Sequence, residues 1–274
     1  MITLHCRGDA NWLEGVLAAL QLDGFCIVEG VLGSPQLAEI RAAMYRARDA
    51  IHADLGETRV RAAGELGVLR IMGRFEPTLL RLLELPELLA IVDATVSPSA
   101  ILHLQNGFIL PSFDGEPAPS VFQNSFHRDF PRHLNGYLAS VNVLVAVDEF
   151  TRHNGATFVV PGSHQRAEPP PAAHLLRAQL PSECEAGSLL VFDSTLWHAA
   201  GANTSGRDRL AINHQFTRSW IKQQVDYVRA LGEEALLRLP PRTQQLLGYY
   251  TRVVTSLDEY YRPQAERLYR KGQG

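Results

Sequence analysis

The chain has 274 residues, with 26 Lys plus Arg against 29 Asp plus Glu and a formal net charge of −3. That near-balance excludes a protein that holds nucleic acid through a basic excess, and 46% hydrophobic with 20% charged residues excludes a disordered chain. Three widely spaced cysteines (Cys6, Cys26, Cys184) give neither a disulfide framework nor a zinc pattern. The N-terminus lacks a basic region followed by an apolar run, and no run of about 18 apolar residues occurs. A cytoplasmic location with no membrane partner is the expectation.

Trp12, Leu13, Val16, Leu17 and Leu20 recur at helical spacing, and Asp23-Gly24 ends that helix before a strand, Phe25 to Val28. Ser34 is the expected cap of a second helix with Pro35 at its first position and an apolar stripe of Leu37, Ile40, Met44, Ala47 and Ile51. Two more helical stretches lie at 77–84 and 86–95. From about residue 100 the texture changes to short β-rich runs: Ile101 to Ile109, Phe122 to Asp129, Ala139 to Val147, Ala156 to Val160, Ser188 to Phe192 and Arg209 to Phe216. The segment His164 to Pro181, with three consecutive prolines at 169–171, reads as a loop with one helical turn. After Trp220 the pattern is helical through about 247, with a break at Pro240-Pro241. This predicts a mainly β sandwich or barrel with flanking helices. The expected organisation is one domain over 1–274: a helical scaffold (about 1–99), a β core (100–220) and a helical tail (221–274), acting as a monomer or homodimer.

The chemistry starts from a short motif. Oxygen chemistry at a metal wants two imidazoles and one carboxylate on one face of the ion, with the opposite positions open. A strand supplies two of these from residues i and i+2, and His127-Arg128-Asp129 has that form in the β-rich half. With ten His and 29 acidic residues, roughly one such match arises by chance, and a strand His bonded to its neighbour is the competing reading. His52-Ala53-Asp54 matches too, but it sits at a helix end, where residues two apart do not share a face. A third ligand candidate is His198, after the apolar run Leu189 to Phe192 and before the small residues Ala199-Ala200-Gly201. Eleven residues later Arg209 opens a β run, where a guanidinium is costly unless it meets an anion. Arg207 is the better surface arginine.

These residues resemble the phytanoyl-CoA dioxygenase family of non-haem iron, 2-oxoglutarate-dependent oxygenases, whose pattern is His-x-Asp, a distal His and an Arg eleven residues after it. The segment Asn154-Gly155 … Pro161-Gly162-Ser163-His164 is similar to the family's central landmark, and Asp23 to Leu32 to its opening strand. The resemblance covers roughly residues 15–220. It implies a double-stranded β-helix, a jelly-roll or cupin-like barrel. It also implies that His127, Asp129 and His198 bind Fe(II), that Arg209 grips the distal carboxylate of 2-oxoglutarate, and that O2 is the oxidant. His164 becomes a structural turn residue. Ala200 stands where the family often carries a hydroxyl residue, so Gln105, Asn106, Gln123 and Asn142 are the candidates for the 1-carboxylate of 2-oxoglutarate, with satisfied core amides as the alternative.

The implied function is oxidation, foremost hydroxylation, of a C–H bond in a small-molecule metabolite such as a natural-product intermediate, with release of succinate and CO2. No Lys/Arg cluster stands out and Lys occurs only at 222 and 271, which speaks against a phosphate-rich CoA substrate. Arg128, Phe130 and Arg132 are the candidate substrate contacts, with barrel-mouth packing and a solvated rim as the alternative. The segments 107–120 and 164–181 and the tail from 222 are candidate lids. The competing class is a non-oxygenase metal protein, a cupin-like isomerase or a ligand-binding module, which leaves Arg209 unexplained.

Overall fold

The computed structural model describes residues 2–113, 124–249, 254 and 256–266. Its strands are β1 (Thr3–His5), β2 (Phe25–Glu29), β3 (Val68–Arg70), β4 (Ile101–Leu110), β5 (Ser140–Ala146), β6 (Phe158–Val159), β7 (Leu180–Pro181), β8 (Leu189–Asp193), β9 (His198–Ala199) and β10 (Arg209–Thr217). Seven of them form one sheet in the order β1-β2-β8-β5-β10-β4-β3, and three form a second in the order β7-β6-β9. Only β1 and β2 run parallel; the remaining pairs are antiparallel. This is the double-stranded β-helix with flanking helices.

β5 and β10 are buried along their whole length, polar residues included, because both faces of the large sheet are covered. Alternation then divides the core. Val141, Val143, Val145, Leu189, Val191, Ile212 and Phe216 turn outward and pack with Val16, Met44, Leu83, Leu88 and Ile91. Leu144, Leu190, Phe192 and Ala211 turn inward onto Phe25, Ile27, Phe150, Val159 and Leu196. The outer cluster is supplied by helix α1 (Trp12–Leu22), helix α2 (Ser34–Leu55), a 3-10 helix (Pro77–Glu84) and the helix Pro86–Thr95.

Several local expectations change. Phe122 to Asp129 is not a strand over its described part: residues 124–129 carry one isolated antiparallel bridge, His127 to His198, and positions 114–123 lie outside the described residues. Gly33, not Ser34, caps α2; its N–H donates to Gln36 Oε1 at 3.0 Å, and Ser34 is the first helical residue. The 164–181 segment holds a seven-residue helix, Ala172–Ala178, and ends in β7. The helical stretch after 220 is three short helices, Tyr227–Leu231, Glu233–Leu237 and Pro241–Leu246, with Pro241 starting the last rather than breaking it. The mostly helical first hundred residues also contribute β1 and β3 to the large sheet, beyond the one strand read there. No helix among the described residues is long and apolar enough to cross a membrane.

Candidate metal centre

His127 and His198 meet because their segments bridge: His127 N–H donates to the His198 carbonyl at 3.0 Å and His198 N–H to the His127 carbonyl at 3.1 Å. Asp129 follows two residues on, on the same side of the extended segment. Its Oδ1 lies 3.5 Å from His127 Nε2 and its Oδ2 3.7 Å from His198 Nε2. One ligand atom from each of the three falls within 4.8 Å of the others.

The rings are set in the tautomer a metal needs. His127 Nδ1 is 2.9 Å from the Ser125 carbonyl and His198 Nδ1 is 3.0 Å from the Leu196 carbonyl, so each donates from Nδ1 and turns the Nε2 lone pair to the centre. His127 Nε2 is shielded from solvent and has no hydrogen-bond partner. Burial works to raise the Asp129 pKa, but the two imidazoles and the Asn142 amide outweigh it and hold the carboxyl below its ordinary range. Burial lowers the His198 pKa against the pull of Asp129, which keeps that ring neutral. At His127 burial is outweighed by Asp129 and the Ser125 carbonyl, and the pKa rises. Two neutral-capable imidazoles and an ionised carboxylate around an orphaned nitrogen fit a divalent ion with nitrogen and oxygen preference.

Arg209, on the inward face of β10, is 5% exposed. Its Nη2 donates to the Gly155 carbonyl at 2.8 Å, its guanidinium lies 4.7 Å from the centroid of the Phe150 ring, and Nε is buried without a partner. Burial pulls its pKa down to about 10, still charged at neutral pH. Among the described residues no carboxylate forms an ion pair with it, so the buried charge awaits an anion. Arg207 is exposed and pairs with Glu149 at 3.0 Å.

The landmark between the ligand regions builds this corner. Gly155 has φ +86°, and a Cβ there would sit 2.8 Å from the Gly201 carbonyl, so only glycine lets its own carbonyl reach Arg209. Ser163 Oγ accepts from Trp197 N–H at 2.9 Å, which fixes the residue before His198. His164 packs over Gly24 with Nε2 3.3 Å from the Gln21 carbonyl, a turn residue away from the centre.

The amide candidates separate by face. Asn142 Nδ2 donates to Asp129 Oδ2 at 2.7 Å and to Asn213 Oδ1 at 3.1 Å, and its Oδ1 accepts from Ser194 Oγ. It therefore orients the carboxylate. Asn106 is buried beside Asn213 on the same inward face. Gln105 points the other way, donating from Nε2 to the Leu79 carbonyl at 3.3 Å and to His214 Nε2 at 3.0 Å, which corrects its assignment to 2-oxoglutarate. Gln123 lies outside the described residues. Phe130 is half-buried, with its N–H on the Ser194 carbonyl at 2.8 Å, and Arg132 is exposed at the rim. Arg128 is turned away from the centre: it donates to the Arg166 and Ala167 carbonyls at 2.5 and 3.2 Å, which corrects its reading as a substrate contact.

Sequence reasoning missed Asn213, Ser194 and His103. Asn213 and Ser194 were legible only as inward positions once the register was known. His103 sits where β4 has an extra residue opposite Gln215, with Nδ1 buried and unpartnered. Burial lowers its pKa, and Asp129 is close enough to oppose that.

The fold and the site together define an enzyme of the non-haem oxygenase class. A family model, Phytanoyl-CoA dioxygenase (PhyH), matches residues 20–211, and the chain belongs to that family. It is a dioxygenase, and the family implies dependence on Fe(II) and 2-oxoglutarate. The uncharacterized protein Rv1501 of Mycobacterium tuberculosis is 61% identical over 274 residues, 100% of both chains. Dioxygenase af480 of Aspergillus fumigatus is 26% identical over 250 residues, 86% of this chain and 77% of that one. Among solved structures, EctD from S. alaskensis with 2-oxoglutarate and 5-hydroxyectoine superposes with a TM-score of 0.61 at 20% identity, covering 76% of each chain. The alpha-ketoglutarate-dependent epimerase SnoN superposes at 0.59 and 19% identity, covering 76% of this chain and 84% of that one.

Proposed function

We propose that this dioxygenase hydroxylates a C–H bond of a small-molecule metabolite in the cytoplasm, with His127, Asp129 and His198 holding Fe(II) and Arg209 holding the distal carboxylate of 2-oxoglutarate. When bound, iron with 2-oxoglutarate and O2 supplies the oxidation, with succinate and CO2 released. The carrying observation is the pairing of the three convergent ligand atoms with a buried arginine that has no acidic partner among the described residues. Ala211 is the inward residue of β10 between Arg209 and Asn213, with Ala146 opposite it on β5 and Phe108 opposite it on β4. Phe192 packs 4.8 Å from the His198 ring and, with Leu196, keeps water from that side. The competing reading, a non-oxygenase metal protein, leaves the buried Arg209 unexplained.

The substrate class follows from the charges. A net charge of −3 and a sequence with no run of Lys and Arg do not favour a CoA thioester, whose phosphates would be met by a basic patch. Of the structural neighbours, EctD was solved with 5-hydroxyectoine and SnoN belongs to nogalamycin biosynthesis, both matters of small molecules.

The test is 2-oxoglutarate-dependent succinate formation with Fe(II) over a small-molecule panel. His127→Ala and Asp129→Ala should abolish it while circular dichroism stays native. Arg209→Ala should raise the KM for 2-oxoglutarate roughly 30-fold or more, since losing one partner of a buried charge pair costs about 2 kcal/mol or more. Arg207→Ala should leave it unchanged. Equal effects of the two arginines would remove Arg209 from the assignment.

A further inference from the structure

The His127–Asp129 segment carries two of the three proposed ligands, yet it belongs to no strand. Its backbone is held by the single bridge to His198 and by Phe130 N–H on the Ser194 carbonyl. A ligand pair on so short a tether needs other restraints to keep its geometry, because a metal site loses affinity when its ligands are free to turn.

Arg128 supplies them from the far side. Alternation points it away from His127 and Asp129. Its guanidinium lies 5.0 Å from the centroid of the Trp197 ring, the residue immediately before His198. The same fork donates to two successive carbonyls, Nη2 to Arg166 at 2.5 Å and Nη1 to Ala167 at 3.2 Å. Trp197 is itself fixed by Ser163 through its N–H. Among the described residues no carboxylate forms an ion pair with Arg128. One planar cation thus joins the segment bearing His127 and Asp129, the segment bearing His198, and the turn after the Pro-Gly-Ser-His landmark. A planar guanidinium can lie flat on the indole while its two terminal nitrogens reach successive carbonyls, whereas an ammonium is a compact point charge with no plane to stack.

We infer that Arg128 is a positioning residue that sets metal affinity by clamping both ligand-bearing segments through Trp197 and the 166–167 backbone. The inference rests on the metal reading of His127, Asp129 and His198. The test is titration of the metal-free full chain with Co(II), read by the visible absorption of the bound ion, alongside thermal unfolding of the metal-free protein. Arg128→Ala should weaken Co(II) binding about tenfold or more, the scale seen when residues supporting metal ligands are lost. Arg128→Lys should lose nearly as much, and Trp197→Phe, which keeps a ring under the guanidinium, should lose less. Wild-type Co(II) affinity and spectrum in Arg128→Ala would overturn the clamp, as would a lowered unfolding temperature with unchanged affinity, which marks a staple of stability alone. Should Arg128→Ala fail to fold, Arg128→Lys decides: binding equal to wild type overturns the inference. His127→Ala separates the two readings, because undiminished Co(II) binding there sinks the metal centre itself, whereas its loss beside an unaffected Arg128→Ala sinks only the clamp.

Discussion

Asn142 shows how one residue's partners fix its role. On sequence it is a polar group in the apolar run Ala139 to Val147, open to a cosubstrate or a core function. In the fold its amide nitrogen is taken by Asp129 and Asn213 and its oxygen by Ser194. Replacing it with Ala removes a donor from a buried carboxylate, so Asn142→Ala should weaken Fe(II) or Co(II) binding about ten- to hundredfold, checked by metal titration. His127, Asp129, His198 and Arg209 were legible because their spacing matches a known motif, although His127 and Asp129 turn out to lie on no strand. Gln105 misled because it is a polar group in an apolar run but points outward, onto Leu79 and His214. Side-chain direction at a strand position depends on register, which the residue itself does not carry.

Among the elements, β8 was recoverable from its apolar run, and β5 and β10 from β-rich runs in which polar residues are interspersed. β1, β3, β7 and β9 span two or three residues and carry too little pattern to be read, whereas β6 falls inside the predicted run 156–160. The tail after 220 has a job that helical periodicity does not reveal. Beyond the end of β3, the edge of β4 is covered by that tail: Gln223 Nε2 donates to the Leu102 carbonyl at 2.7 Å, Gln224 N–H to the His103 carbonyl at 3.2 Å, and Gln105 N–H to Tyr227 Oη at 2.6 Å. Tyr227→Phe leaves the Gln105 N–H buried without an acceptor. It should cost about 1–3 kcal/mol, measured as a lowered urea midpoint at unchanged slope.

At the scale of the molecule, helices on the outer face of the large sheet bury a histidine on the strand face opposite the metal centre. His214 is fully buried, and burial pushes its pKa from the ordinary 6.5 down to about 4. Gln105 Nε2 can only donate, so His214 Nε2 accepts and the folded ring is neutral. The unfolded chain therefore binds the extra proton first. The stability this neutral ring contributes is fully present above about pH 6.5 and is lost as pH falls toward about 4, by roughly 3 kcal/mol in all. Unfolding free energies measured across that window should fall for the wild type and fall less for His214→Gln. The sequence by itself named the four residues proposed for iron and 2-oxoglutarate, and it carried the family and the β core, because rare polar groups and β-rich runs are local properties of a chain. The tertiary structure alone decided which amides meet the carboxylate, that Arg128 faces the backbone of residues 166–167, and that the tail closes β4. Those outcomes depend on register and on contacts between segments far apart in sequence, whose geometry exists only after the sheets have closed.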